Sequence, residues 1–197
     1  MSTSGDRPLI AEGVLRDGSA VRLRALPYDD PVAQDLVERV QLEYVARYGG
    51  RDEAAVDPAE FRPPQGLFLA AEVAGEPVGS GAWRAMGAGI AEIKRVYVVP
   101  AFRRRGLAQL IVDVLERSAA QAGHRSVVLN TGGRQPEALG LYAQLGYGPV
   151  AGYGVYACAP DAVFLGKDLA AVAPCSSDRD SVDDGSSNGM EERTWVS

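Results

Sequence analysis

The stretch from Glu92 to Leu110, EIKRVYVVPAFRRRGLAQL, limits what this chain can fold into more than any other. It reads as a strand, a proline stop at Pro100, a basic glycine-containing turn and the start of a helix. Proline cannot donate to a ladder, so the strand ends there. Gly106 permits a backbone conformation, or an approach distance, that a side chain would forbid. The helix that follows leaves its first N–H groups unpaired and carries partial positive charge at that end. Together these make an anion site, strongest for a phosphate or pyrophosphate. Arg103, Arg104 and Arg105 would add charge-assisted contacts to phosphate oxygens. Alone, such a run is as readily a solvated basic corner; its place between a strand stop and a helix start favours the ligand.

Two other phosphate motifs fail. No G-x-x-x-x-G-K-[ST] sequence is present, which argues against a P-loop nucleotidase. Gly79-Ser80-Gly81 lies inside an expected hairpin strand and opens no helix, so it is not a dinucleotide fingerprint.

The 197 residues suffice for one domain with a real core, and no window approaches an uninterrupted apolar membrane span. The first residues lack a basic-then-apolar signal pattern, so a cytoplasmic location is expected. Cys158 and Cys175 form neither a disulfide framework nor zinc-ligand spacing, and no metal site is expected. The formal charge of -6 is unevenly spread. Residues 173–197 hold six acids and two arginines, so most of the acidity belongs to that tail. The rest is nearly balanced, with no global basic character to attract nucleic acid.

Elements follow from periodicity. Residues 1–19 are expected to form a flexible segment, and Val21–Leu26 alternates as a half-buried strand. Asp30-Pro31 caps a helix whose apolar residues Ala33, Leu36, Val37, Val40 and Tyr44 recur at helical spacing, closed by Gly49-Gly50. A helical turn is expected near Pro58–Phe61. Strands over 67–74 and 78–86 form a hairpin. Further strands are expected over 92–99, 126–130, 149–158 and 162–167, with helices over 104–122 and 137–145. Residues 173–197 are serine-, aspartate- and glycine-rich and are expected to be disordered. The fold class is α/β (α+β): a single mixed, mostly antiparallel sheet of about seven strands flanked by about four helices.

Val98-Val-Pro-Ala-Phe-Arg-Arg-Arg-Gly-Leu-Ala108 resembles the acyl-CoA signature of the GCN5-related N-acetyltransferases (GNAT), V-x-P followed by R/Q-x-x-G-x-G/A. Ala138-Leu-Gly-Leu-Tyr-Ala-Gln-Leu-Gly-Tyr147 is similar to the family's later A-x-x-L-Y-x-x-L-G-[FY] motif. The likeness spans roughly residues 20–169, placing the domain at about 20–172. Ala108 departs from the commonest glycine, a substitution the family tolerates.

The resemblance implies acetyl-CoA as co-substrate and a V-shaped gap between strands 92–99 and 126–131 that admits its pantetheine arm. It implies that backbone N–H groups of Arg104, Arg105, Gly106, Leu107 and Ala108 hold the pyrophosphate, with Arg103 also among the cofactor-binding residues. The backbone of Val96 and Val98 would pair with the arm, and the Asn130 amide would contact it. Asn130 is equally a strand-end turn residue. Acyl transfer to an amine needs a deprotonated nucleophile, adjacent reactants, an oxyanion donor and a protonated leaving thiolate. Tyr142 matches the family's acid position, its alternative being a core tyrosine. Glu92 is the candidate base, directly or through water; otherwise it pairs with Lys94 or Arg95. Glu43, Tyr44 and Glu72 could line the substrate side. Tyr147, Tyr153 and Tyr156 could shape recognition or pack. His124 is expected to meet a helix dipole.

The reading is an N-acetyltransferase acting on a primary amine of a small molecule. A protein lysine or N-terminal acetyltransferase and a non-catalytic acyl-CoA sensor are the alternatives. Family members are often dimers, so the resemblance allows a homodimer; nothing in the chain defines its interface. No nucleic acid or membrane partner is expected.

Overall fold

The computed structural model describes residues 7–52 and 54–169. Helix α1 (Pro31–Tyr48) begins where Asp30 accepts from the Val32 N–H and proline takes the first turn. It stops at Gly49, whose φ of 82° lets its N–H reach the Val45 carbonyl. The other helices are α2 (Leu107–Gln121) and α3 (Pro136–Gln144).

The strands are β1 (Leu9–Val14), β2 (Ala20–Ala25), β3 (Gly66–Val73), β4 (Glu76–Gly87), β5 (Ile90–Val98), β6 (Ser126–Gly132), β7 (Gly148–Pro149) and β8 (Ala162–Asp168). They form one sheet in the order β1-β2-β3-β4-β5-β6-β8-β7. Only β5 and β6 run parallel; every other pair is antiparallel.

Each face of the sheet carries a core. Strand β3 shows why: Leu67, Leu69 and Ala71 face one way, Phe68 and Ala70 the other, and all are buried. Leu107, Ile111, Val112 and Leu115 of α2 cover the first face. Ala33, Leu36, Val37 and Val40 of α1 cover the second, with Phe61 and Tyr97. Fully buried leucines and isoleucines of this kind contribute roughly 1.5–3 kcal/mol each.

Four expectations are corrected. β1 lies within the segment 1–19 expected to be flexible, because it pairs with β2 from Leu9 to Val14 and adds an eighth strand. The described residues hold three α-helices rather than about four; Pro58–Phe61 is a single 3-10 turn. The strand expected over 149–158 shrinks to Gly148–Pro149, since a 3-10 turn at Gly154–Tyr156 replaces it and Gly154 has φ 63°. Helix α2 starts at Leu107 rather than 104, because Arg104 and Gly106 are left-handed, with φ 64° and 88°. The expectations for 173–197 fall outside the described residues. Among those residues no helix is long and apolar enough to cross a membrane.

Candidate active site

The site grows from a split in the sheet. β5 and β6 hydrogen-bond only where Ile90–Ile93 meets Ser126–Leu129. Beyond that point β6 keeps pairing with β8 as far as Gly132, and β5 stays on β4 as far as Val98. Sheet twist then carries the two strands apart. The resulting V-shaped gap leaves the far half of β5 without a strand on that side, so its backbone groups there need another partner.

A bulge lies at the mouth of this gap. The β4–β5 register shifts so that Arg95 and Val96 together oppose Gly81. Arg95 takes a left-handed φ of 57°, unusual for a residue with a long side chain. Tertiary contacts hold it. Its carbonyl accepts from Ser80 Oγ at 2.9 Å. Its guanidinium, with the side chain 3% exposed, donates to Asp52 Oδ2 at 2.6 Å. Gly81 is required here, because a Cβ would sit 2.5 Å from Ile111 Cγ2 and 2.9 Å from Leu115 Cδ1.

The phosphate end is built mainly from backbone. A 3-10 turn at Pro100–Phe102 leads into the left-handed Arg104 and Gly106, and α2 starts with no side-chain cap. The first-turn N–H groups of Leu107, Ala108 and Gln109 therefore face outward unpaired, the arrangement an anion needs. The arginines are used differently from the expectation that all three converge. Arg103 donates to the Val98 carbonyl at 2.9 Å and pairs with Glu43 of α1. Arg105 pairs with Asp17 at 2.6 Å, donates to the Ala101 carbonyl and lies over the Phe102 ring. Only Arg104 remains exposed toward the cleft, where Arg16, which sequence reasoning missed, lies beside Gly106.

The gap opens into a cleft of about 1140 Å³ that Val96, Val98, Arg103, Arg104, Gly106, Leu107, Ala108, Asn130, Tyr142 and Glu92 all line. Asn130 Nδ2 is buried and has no hydrogen-bond partner, which favours the ligand-contact reading over the turn reading. Tyr142 is buried on α3 and packs edge-on against Tyr147, with ring centroids 5.2 Å apart. Burial pushes its phenol pKa up, so it stays a proton donor at neutral pH.

The opposite wall was largely illegible from sequence. Glu92 is 3% exposed. It accepts from Arg84 Nε at 2.8 Å and lies 3.4 Å from Lys94 Nζ. Of its two expected partners only Lys94 is found; Arg95 pairs with Asp52 instead. Burial raises the Asp52 pKa, but the Arg95 charge and hydrogen bonds from Ala54, Arg95 and Tyr156 outweigh it and hold the carboxyl below its usual range. Burial pushes the Tyr44 and Tyr153 phenols up as well, the latter helped by the nearby Glu92 charge. Glu43, Tyr44, Tyr153 and Tyr156 line the cleft. Glu72 does not; it is buried elsewhere against Arg24 at 3.2 Å. Tyr147 lies behind the wall and donates to Glu116 at 2.8 Å. His124 packs on Trp83, away from the cleft.

The chain's sequence and fold are both matched by known proteins. The model of the acetyltransferase (GNAT) family matches residues 33–147. The chain belongs to the GNAT family, and is accordingly an acyltransferase. An IAA acetyltransferase of Azospirillum brasilense is 29% identical over 147 residues, covering 74% of this chain and 95% of that protein. The GNAT domain of S. lividans PAT shares the fold with TM-score 0.63 at 23% identity, covering 81% of this chain and 96% of that one. A GNAT acetyltransferase of Elizabethkingia anophelis solved with acetyl-CoA bound shares it with TM-score 0.55 at 15% identity, covering 76% and 98%.

Proposed function

We propose that this protein transfers the acetyl group of acetyl-CoA to a primary amine of a small molecule. The observation that carries the proposal is the continuity of one cleft. It runs from the uncapped first turn of α2, through the gap beside the orphaned Asn130 amide, to Tyr142 and the Glu92 wall. The donor supplies an activated thioester when bound. The backbone at Gly106–Gln109 holds its phosphates, and the unpaired edge of β5 holds its arm.

Tyr142 provides the proton that the departing thiolate takes up, since its raised pKa keeps the hydroxyl protonated. Glu92 acts through water on the amine, because both of its oxygens already face cations. A backbone N–H of the Val96–Val98 segment steadies the developing oxyanion.

The test is a panel of amines scored by CoA release, with acetyl-CoA binding measured separately by calorimetry. Turnover on small amines, lowered in Tyr142→Phe while acetyl-CoA affinity stays nearly intact, is expected. Binding without turnover on any amine would mark an acyl-CoA sensor, and turnover only on a protein lysine or N-terminus would mark a protein acetyltransferase. Either result overturns the small-molecule reading.

A further inference from the structure

The cleft reaches both faces of the sheet, since Leu107 and Ala108 of α2 and Val40 and Tyr44 of α1 all line it. On the α1 face the register sets Arg84 opposite Glu92 and Ala82 opposite Lys94. Ala82 is buried in the core under α1, and strand alternation puts Arg84 and Met86 on the same side of β4. The charges of this floor cancel. Arg84 binds Glu60 at 2.6 Å and Glu92 at 2.8 Å, Lys94 lies 3.4 Å from Glu92, and Arg95 binds Asp52 at 2.6 Å. Three cations meet three carboxylates, and none of the six is left over to select an ionic group on the acceptor.

The rest of the wall is aromatic and apolar. Six of the chain's eight tyrosines line the cleft. The other two, Tyr28 and Tyr147, are buried in the cores. Tyr44 comes from α1, and Tyr153 and Tyr156 from the loop at 150–161, which Tyr156 ties to Asp52 at 2.9 Å. Met86 and Val155 also line the cleft, and they are 42% and 76% exposed. A concave wall of rings with apolar side chains open to solvent at its rim is the surface that an apolar ligand covers. Tyrosine rings suit an aromatic group and tolerate the ammonium that precedes the reactive amine.

We propose that the acceptor is a primary amine on a short chain that ends in an aromatic ring. The ring seats against the tyrosine wall of α1 and the 150–161 loop, with Met86 and Val155 at the rim. This rests on the amine-transfer function above and names its substrate class. On this floor a polyamine finds no free carboxylate and an amino acid no free cation.

The experiment measures CoA release at saturating acetyl-CoA for 2-phenylethylamine and for ethanolamine, whose amine is of similar basicity on a chain of equal length. Putrescine and glycine serve as charged comparators. Wild-type protein is expected to prefer 2-phenylethylamine over ethanolamine by about tenfold or more in kcat/KM, chiefly through KM. The double variant Met86→Ser, Val155→Ser changes two exposed side chains and should lower that ratio severalfold, through KM for the ring-bearing amine. A wild-type ratio at or below one, measured without any variant, overturns the proposal. So does an unchanged ratio in the double variant, or a higher kcat/KM for putrescine or glycine than for 2-phenylethylamine. Turnover without ring preference leaves amine transfer standing and removes only the aromatic acceptor. Acetyl-CoA binding by calorimetry with no turnover on any of the four amines removes the transfer reading itself.

Discussion

Replacing Asp52 with alanine should destabilise the protein far more than an ordinary surface change. Asp52 is the counter-ion of Arg95, whose side chain is 3% exposed and whose guanidinium lies 2.6 Å away. The variant strands a guanidinium that cannot lose its proton. Breaking a buried pair from one side costs about 3–5 kcal/mol. Asp52 is itself 14% exposed, so water can reach part of the vacated space, and the low end, about 3 kcal/mol, applies. The same carboxylate accepts from Tyr156 at 2.9 Å and from the Ala54 N–H at 3.0 Å, each adding about 1 kcal/mol. A loss near 5 kcal/mol is a large share of a typical 5–15 kcal/mol. At roughly 2–4 °C per kcal/mol for a chain this long, it lowers Tm by about 10–20 °C. Urea denaturation of Asp52→Ala, Arg95→Met and the double variant forms a cycle. The double variant should be more stable than the sum of the singles implies, because removing both charges leaves nothing unpaired. Additive losses, or a single-variant loss below about 1 kcal/mol, would refute the view that this pair secures the bulge.

Three further outcomes are expected. Gly106→Ala should cost roughly 1–2 kcal/mol of backbone strain at φ 88°, with no clash because only the Arg16 side chain lies nearby, whereas Gly106→Glu should abolish CoA binding by calorimetry; tight binding by the glutamate variant would remove the cradle. Burial lowers the His124 pKa below the usual 6.5, so the fold holds fewer protons there than the unfolded chain, and its stabilising contribution is complete above that value and declines as pH falls through the window beneath it; His124→Gln should flatten the stability slope in urea titrations, and an identical slope would show that His124 does not cause it. Gly132→Ala should lower Tm, since a Cβ there would lie 2.0 Å from Tyr48 Oη and 2.4 Å from its ring, forcing Tyr48 away from the cleft wall at a cost of about 1–3 kcal/mol.

The two ends of the cleft differ in how far they could be read in advance. The phosphate end follows from local rules. Pro100 stops a strand, Gly106 takes a positive φ, and α2 opens without a cap, all within one short run of chain. The convergence of three arginines did not follow, because Arg103 and Arg105 are claimed by Glu43 and Asp17, 60 and 88 residues away in sequence. β1 was hidden for a related reason: Leu9, Ile10 and Val14 stay largely exposed, so no half-buried alternation marks the strand, and only pairing with β2 defines it. The acceptor wall was hidden most completely. Arg95 and Asp52 stand 43 residues apart, and Tyr156 reaches Asp52 across 104. No periodicity signals such contacts.

This division bears on what family membership tells about the acceptor. The motifs that identify the chain lie at the end of the cleft proposed for the donor, which the chemistry keeps constant. The other side chains that line the cleft come from α1, residues 50–52 and 54–55, β4, β5 and the loop at 150–161, and a change in any one can alter that wall without touching the first turn of α2. Selectivity in this chain should therefore be sought on that wall rather than in the motifs. Its charges balance, because Arg95 pairs with Asp52, Arg84 with both Glu60 and Glu92, and Lys94 with Glu92.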